Sequence, residues 1–235
     1  MIEINKIYND DCLNILKKIP DNSIDCIITS PPYNLGKTHH TGNDIHVPYF
    51  DNLPEKEYQN WQIGILNELY RILKYNGNCF YNHKNRIKEG FCISPLEWIF
   101  KSKFNLKQEI IWKNGGQNLD KIRFFPMHEK IFWLSKSNTT IDNKLNLTDV
   151  WDYIDLLSEK HNFHRRAFPV LLPMKLLQVA TKENDLVLDC FSGSGTTAIA
   201  CSELKRRFIC IEKDKQYYEA SVKRLENYNK QLKLF

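Results

Sequence analysis

Leu186-Val187-Leu188-Asp189-Cys190-Phe191-Ser192-Gly193-Ser194-Gly195-Thr196-Thr197 is an apolar run that ends on an acid, turns through two glycines and opens into a helical pattern. Such a turn lets backbone approach a ligand closely, and the helix N-terminus that follows offers unpaired N–H groups. Working outward, apolar spacing predicts helices over residues 170–181, 195–204 and 214–229, and strands over 186–189 and 207–211, with Asp214 as an N-cap. Strands that alternate with helices form a mainly parallel sheet covered on both faces. Glu212 stands at the end of the second of these strands, where a carboxylate can accept hydrogen bonds from both hydroxyls of a ribose. The segment therefore has the makings of a nucleoside site. It is no P-loop, because Gly-Lys-Ser/Thr is missing, and it lacks the third glycine of the dinucleotide fingerprint. The bland reading of the same residues is a tight turn without a ligand.

A second strand pattern lies near the other end of the chain. Residues 23–30 form a β-branched run halted by Pro31-Pro32, which cannot extend a ladder. Residues that follow such a stop sit at the carboxyl edge of the sheet, where open parallel sheets bind ligands. Ser30 offers a hydroxyl acceptor, Pro31 a carbonyl fixed by the next proline, and Tyr33 an aromatic face for a flat base. The alternative is a polyproline turn that merely ends the strand.

Residues 35–54 are polar and aperiodic, which predicts a long loop. Residues 55–74 predict a helix stopped by Asn76-Gly77, residues 78–81 a strand, 87–101 a helix, and 106–112 and 130–134 two further strands. Between 138 and 163 the pattern is weak.

Composition bounds the rest. The 235 residues, 42% hydrophobic and 26% charged, fit one large α/β domain or two small ones and exclude global disorder. No apolar run approaches the roughly 18 residues of a membrane span, and the N-terminus carries acids where a signal would be basic and then apolar. The chain is expected to be cytoplasmic and free of membrane contact. Seven Cys without a Cys-x-x-Cys pair argue against a disulfide framework or a zinc site, and no metal is expected. The formal charge of +5 is concentrated: residues 74–136 hold 12 Lys and Arg against 5 Asp and Glu. A basic segment on an otherwise slightly acidic chain suggests a polyanion, or simply a solvated charged face.

Taken together, Phe191-Ser192-Gly193-Ser194-Gly195 and Ser30-Pro31-Pro32-Tyr33 resemble the two hallmark motifs of the amino-group DNA methyltransferases, with the catalytic motif first as in the family's β class. The resemblance implies a Rossmann-like methyltransferase fold: a mainly parallel seven-stranded sheet with helices on both faces and a small target-recognition insertion. It further implies S-adenosylmethionine as cofactor, double-stranded DNA as partner, and a restriction-modification setting with a cognate restriction endonuclease. Catalytic residues would be Ser30, Pro31, Pro32 and Tyr33. Cofactor contacts would come from Asp11, Cys12, Phe168, Pro169, Asp189, Phe191, Ser192, Gly193, Ser194, Gly195, Thr196, Thr197, Glu212 and Lys213. Asp11-Cys12 is similar to the family segment that borders the adenine, although Asp11 could equally cap a helix and Cys12 serve as a packed wall. His164-Arg165-Arg166-Ala167-Phe168-Pro169 resembles the segment that closes over the methionine end, with Arg165 where the family usually has proline. His128-Glu129-Lys130-Ile131-Phe132-Trp133 resembles the strand before the sheet's antiparallel edge.

These parts divide one methyltransferase domain into a catalytic-motif part (1–34), a mobile loop (35–54), a catalytic half of the sheet (55–112), a target-recognition region (113–163) and a cofactor-binding half (164–235). Lys37, Lys113, Lys121 and Arg123 are the candidate phosphate contacts. A homodimer is expected, because little chain is left over for recognition. Serine at the first tetrapeptide position and the Phe168-Pro169 form lean toward cytosine N4 over adenine N6. The absence of a Pro-Cys dipeptide argues against C5-cytosine chemistry, which needs an activated thiol. An RNA or protein amide methyltransferase, and a nucleotide-binding regulator or NAD-dependent oxidoreductase, are the competing classes.

Overall fold

The computed structural model describes residues 2–35, 51–114, 122–152 and 168–232. Among the described residues, ten strands and six helices build an eight-stranded main sheet with a separate two-stranded hairpin. The strands are β1 (Lys6–Tyr8), β2 (Ile24–Thr29), β3 (Leu73–His83), β4 (Arg86–Lys88), β5 (Phe91–Ile93), β6 (Asn105–Trp112), β7 (Glu129–Ser135), β8 (Val150–Trp151), β9 (Leu186–Asp189) and β10 (Arg207–Ile211). The helices are α1 (Cys12–Leu16), α2 (Glu55–Ile72), α3 (Leu96–Ile99), α4 (Leu171–Ala180), α5 (Thr196–Glu203) and α6 (Lys215–Leu232).

Strand order in the main sheet is β1-β10-β9-β2-β3-β7-β6-β8. β1, β10, β9, β2 and β3 run parallel, and β7 is antiparallel to both of its neighbours. The resemblance placed β7 just before an antiparallel edge, whereas β7 is itself the antiparallel strand. The eighth strand, beyond the expected seven, is the short β8, which pairs parallel with the end of β6 and buries Trp151.

One core fills the face covered by α1, α2 and α3, around Leu16, Leu69, Trp98 and Phe132. The other, around Phe80, Trp133, Leu177 and Ala198, lies under α4 and α5. From β2 the chain crosses through α2 to β3 on one side, and from β9 it crosses through α5 to β10 on the other. The carboxyl ends of the adjacent strands β2 and β9 therefore flank a topological switch point, the place where open α/β sheets take ligands.

Two expectations need correction. The helix over 55–74 does not end at Asn76-Gly77: α2 stops at Ile72, and Leu73 turns directly into extended backbone as the first residue of β3. Gly77 instead lies inside β3, at a register shift against β2, where a Cβ would stand 2.6 Å from Leu73 Cδ1 and 2.9 Å from Asp25 O. The helix predicted over 87–101 is the β4–β5 hairpin followed by the single turn α3. Its apolar spacing is genuine, but Glu89 and Gly90 both take positive φ, which suits a tight hairpin turn. Pro95, which has no N–H to donate, then starts the helical turn.

Candidate active site

The glycine turn is built from inside. Asp189 ends β9 buried, and its Oδ1 accepts from Thr29 Oγ1 (3.0 Å) and from the Phe191 amide (3.1 Å), while Oδ2 accepts from Thr197 Oγ1 (2.6 Å). One carboxylate thus ties the end of β2, the turn and α5 together. Its burial pushes the pKa up to about 6, against the pull of those three donors. Ser192 Oγ donates to Ile211 O, and Arg224 of α6 donates to Ser194 O and Thr196 Oγ1. The hydroxyls of Ser192, Ser194, Thr196 and Thr197 are therefore engaged within the protein, where they support the turn. Gly193 and Gly195 take φ of +49° and +75°, a region L-residues rarely adopt. At Gly195 a Cβ would also stand 3.0 Å from Ser221 Cβ.

Beside this turn the end of β10 meets the end of β1. Glu212 accepts from the Gly193 amide on Oε2 and from the Asp214 amide on Oε1, each at 2.8 Å. A carboxylate has about four acceptor positions, so two remain for a ribose diol. Burial, the largest influence, raises the Glu212 pKa to about 7, and the charges of Asp214 and Asp189 add to the rise. Asn9 Nδ2 donates to the carbonyls of Glu212 and Lys213, and Lys213 Nζ lies 3.0 Å from Asp11 Oδ2. Asp11 also caps α1 through the Leu13 amide, the helix-capping one of its two readings. Cys12 is buried with its thiol pushed up to about 12, a packing wall and no nucleophile. Phe168 packs against the core beside α4, and the Pro169 carbonyl accepts from the Leu172 amide. His164, Arg165, Arg166 and Ala167 lie outside the described residues.

Ser30, Pro31, Pro32 and Tyr33 follow β2 directly. The Pro32 carbonyl is held by Tyr58 Oη at 2.7 Å and by Gln62 Nε2 at 3.4 Å, both from α2. Behind them a buried chain continues: Gln62 Nε2 donates to Tyr58 Oη, Tyr81 Oη to Gln62 Oε1, and Trp98 Nε1 to Tyr81 Oη. His83 Nε2 lies 2.7 Å from Tyr58 Oη, and burial presses the imidazole pKa down to about 3, so it is neutral. Because Tyr58 donates its one proton to Pro32 O, the His83 Nε2–H is the donor in that contact. The tetrapeptide backbone is thus clamped from the core side by α2.

The Tyr33 ring packs on His83 with centroids 4.5 Å apart, and Lys84 Nζ lies 5.5 Å from its centroid. Tyr33 Oη donates to Glu129 Oε2 (2.9 Å), and Ser30 Oγ is 3.0 Å from Tyr33 Oη. Asn82 Nδ2 faces Tyr33 Oη, Glu129 Oε2 and Ser30 Oγ at 2.7, 2.9 and 3.2 Å. Asn82 Oδ1 is buried with no hydrogen-bond partner among the described residues, an arrangement that costs about 1–3 kcal/mol of stability. Asn34, with φ +55°, exchanges hydrogen bonds with Leu53 and donates its amide to Asp51, tying residues 34 and 35 to 51 and 53 across the polar loop. The loop's residues 36–50, Lys37 among them, lie outside the described residues.

The two motifs converge. Phe191 meets Trp61 with centroids 5.7 Å apart, Trp61 meets Tyr58 at 6.1 Å, and Tyr58 bonds Pro32. Together with the Thr29–Asp189 bond, this places the tetrapeptide and the glycine turn side by side at the carboxyl ends of adjacent strands. Tyr58, Gln62, Asn82, His83 and Glu129 were given no role from sequence. The available signals were a Tyr/Gln pair at i,i+4 on the apolar face of α2, and polar residues at the ends of the strands next to β2. Of the candidate phosphate contacts, Lys113 directly follows β6 and pairs with Asp152 at 3.0 Å, and Arg123 lies in a segment that also exposes Ile122, Phe124 and Phe125. Lys121 lies outside the described residues.

Comparison with known proteins agrees with this geometry. The sequence profile of the N6/N4 DNA methylase family matches residues 24–223, from the start of β2 into α6. The chain belongs to this family. Among curated relatives, the Type II methyltransferase M.BglII of Bacillus subtilis is 29% identical over 92% of this chain and 67% of its own length. M.HpaI of Haemophilus parainfluenzae, also a Type II methyltransferase, is 29% identical over 94% of this chain and 74% of its own. In fold, the chain matches the cytosine-N4-specific PvuII DNA methyltransferase with a TM-score of 0.74 at 21% identity, covering 95% of this chain and 91% of that one. It matches the M1.HpyAVI–SAM complex with a TM-score of 0.61 at 24% identity, covering 94% and 98%.

S-adenosylmethionine is the methyl donor of the DNA methylase family, and the residues present suit it. Glu212 keeps acceptor positions for a ribose, Cys12 supplies an apolar wall, and the glycines let backbone come close.

Proposed function

We propose that the protein transfers a methyl group to an exocyclic amine of a base extruded from double-stranded DNA, with cytosine N4 as the target. The observation that carries this reading is the placement of Ser30-Pro31-Pro32-Tyr33 and the glycine turn at the carboxyl ends of adjacent strands. Bound there, S-adenosylmethionine supplies an electrophilic sulfonium methyl group. The chain's own residues do the rest by positioning and electrostatics. Ser30 Oγ and the Pro31 carbonyl accept from the amine and orient its lone pair, while the Tyr33 ring stacks on the base. The clamp of Tyr58 and Gln62 on Pro32 holds those acceptors in place. Extrusion costs a few kcal/mol, offset by phosphate contacts from the basic segment.

Cytosine N4 is supported by Ser30 and by the Phe168-Pro169 form, and it is the specificity carried in the name of the PvuII neighbour. The proposal includes the target-recognition role of residues 113–163, of which β7 and β8 belong to the main sheet. It also includes a restriction-modification setting with a cognate endonuclease, a cytoplasmic location, and a homodimer that sedimentation equilibrium would read directly. No helix among the described residues is long and apolar enough to cross a membrane.

Methyl transfer to plasmid DNA tests the site. Ser30→Ala is expected to lower kcat about tenfold or more with S-adenosylmethionine affinity nearly unchanged, and Tyr33→Ala to raise the KM for DNA through lost stacking of about 1–3 kcal/mol. Loss of cofactor binding in both variants would place the site elsewhere.

A further inference from the structure

We infer that Glu129 is a positioning residue that fixes the hydroxyl proton of Ser30 away from the cleft, so that Ser30 meets the target amine as an acceptor. The inference rests on the reading of Ser30 given above. Glu129 opens β7, opposite Trp112 of β6 and one residue before the Lys130–His83 pair, so its side chain reaches the tetrapeptide across β3.

The direction follows from proton counting. A serine or tyrosine hydroxyl carries one proton, and a carboxylate carries none. Tyr33 Oη donates its proton to Glu129 Oε2 at 2.9 Å. In the 3.0 Å contact between Ser30 and Tyr33, the donor is then Ser30. Burial holds the Tyr33 phenol well above its ordinary range, so the relay keeps its proton. Asn82 Nδ2 has two protons for three oxygens, and its shorter contacts are to Tyr33 (2.7 Å) and Glu129 (2.9 Å), against 3.2 Å to Ser30. With its proton donated to Tyr33, Ser30 Oγ faces Asn82 Nδ2 with one lone pair at 3.2 Å and keeps the other for the substrate. As the amine attacks, its nitrogen gains positive charge, and the relay sets the Glu129 carboxylate two hydrogen bonds behind the acceptor. Without Glu129, the Tyr33 proton can turn to Ser30 and the Ser30 proton toward the amine, which turns an acceptor into a donor.

The test is single-turnover methyl transfer by the full chain carrying Glu129→Ala, Tyr33→Phe, Ser30→Ala, or Ser30→Ala combined with Glu129→Ala. Cofactor affinity is measured alongside. Residues that act as a unit are non-additive. Glu129→Ala and Tyr33→Phe, which keeps the stacking ring, are each expected to slow transfer about tenfold or more with cofactor affinity within about twofold of wild type. In the Ser30→Ala background, Glu129→Ala is expected to remove less than about twofold further. A purely structural Glu129 would give multiplicative losses, which would overturn the inference, as would an unchanged rate in Glu129→Ala. Should Glu129→Ala fail to fold, Tyr33→Phe alone and combined with Ser30→Ala reads the same relay. If Ser30→Ala itself leaves the rate unchanged, the acceptor reading falls first and this inference with it.

Discussion

Glu212 carries a pKa near 7 because it is buried, and in the proposed cofactor complex it accepts hydrogen bonds from a ribose. Protonation turns one acceptor position into a donor, so the cofactor-bound state favours the carboxylate. Affinity for S-adenosylmethionine is therefore expected to weaken as pH falls through about 7, by up to about tenfold per pH unit for one linked proton. The sign for stability is opposite. A carboxyl whose folded pKa is raised from 4.5 to about 7 stabilises the free protein at low pH, and that contribution is lost as pH rises through 7. Weaker binding at pH 6 would thus not reflect unfolding through this group. Titration calorimetry from pH 6 to 8 reads the effect, and a flat profile would mean that Glu212 does not touch the ribose. At this scale the motif residues were legible because Ser30, Tyr33, Gly193 and Glu212 combine residue type with a strand end. Asn82 and Glu129 were not, because their roles exist only once β3 and β7 are paired beside β2, through contacts as far as 96 residues apart in sequence.

Elements from residue 168 onward were legible almost to the residue, since short apolar strands and helices alternate there and Asp214 caps α6. The stretch from 73 to 101 was not. Ile87, Trp98 and their neighbours fall at helical spacing, yet the positive φ of Glu89 and Gly90 and the start imposed by Pro95 divide the segment into a hairpin and one helical turn. The hairpin is anchored by Arg86, whose guanidinium forms a two-pronged pair with Glu55 at 2.7 and 2.9 Å and lies 4.5 Å from the Tyr58 ring centroid. Arg86 is buried, and its Nε has no partner among the described residues. Removing one member of such a pair is costly. Arg86→Ala is expected to destabilise the fold by about 3 kcal/mol and to loosen Tyr58 against Pro32, lowering both the midpoint of urea unfolding and kcat. An unchanged midpoint would show that the hairpin is not held by this pair.

On the scale of the whole molecule, the parallel sheet and its switch point were readable from the alternation of elements, whereas strand order was not. The antiparallel insertion of β7 between β3 and β6, and the eighth strand β8, depend on pairings that periodicity does not encode. The basic segment belongs to this scale as well. If Lys113 and Arg123 contact phosphates, replacing either with alanine should weaken DNA binding on every sequence and reduce the salt slope by about 1. An unchanged slope would remove them from the interface.

The convergence of tetrapeptide and glycine turn in one cleft is tested most directly by mass spectrometry of nucleosides from DNA incubated with the protein and isotopically labelled S-adenosylmethionine. The expected product is labelled N4-methylcytosine, present with wild-type protein and strongly reduced with Ser30→Ala. Labelled N6-methyladenine in its place would overturn the choice of base, and label on cytosine C5, or on no base at all, would contradict amine methylation at this cleft.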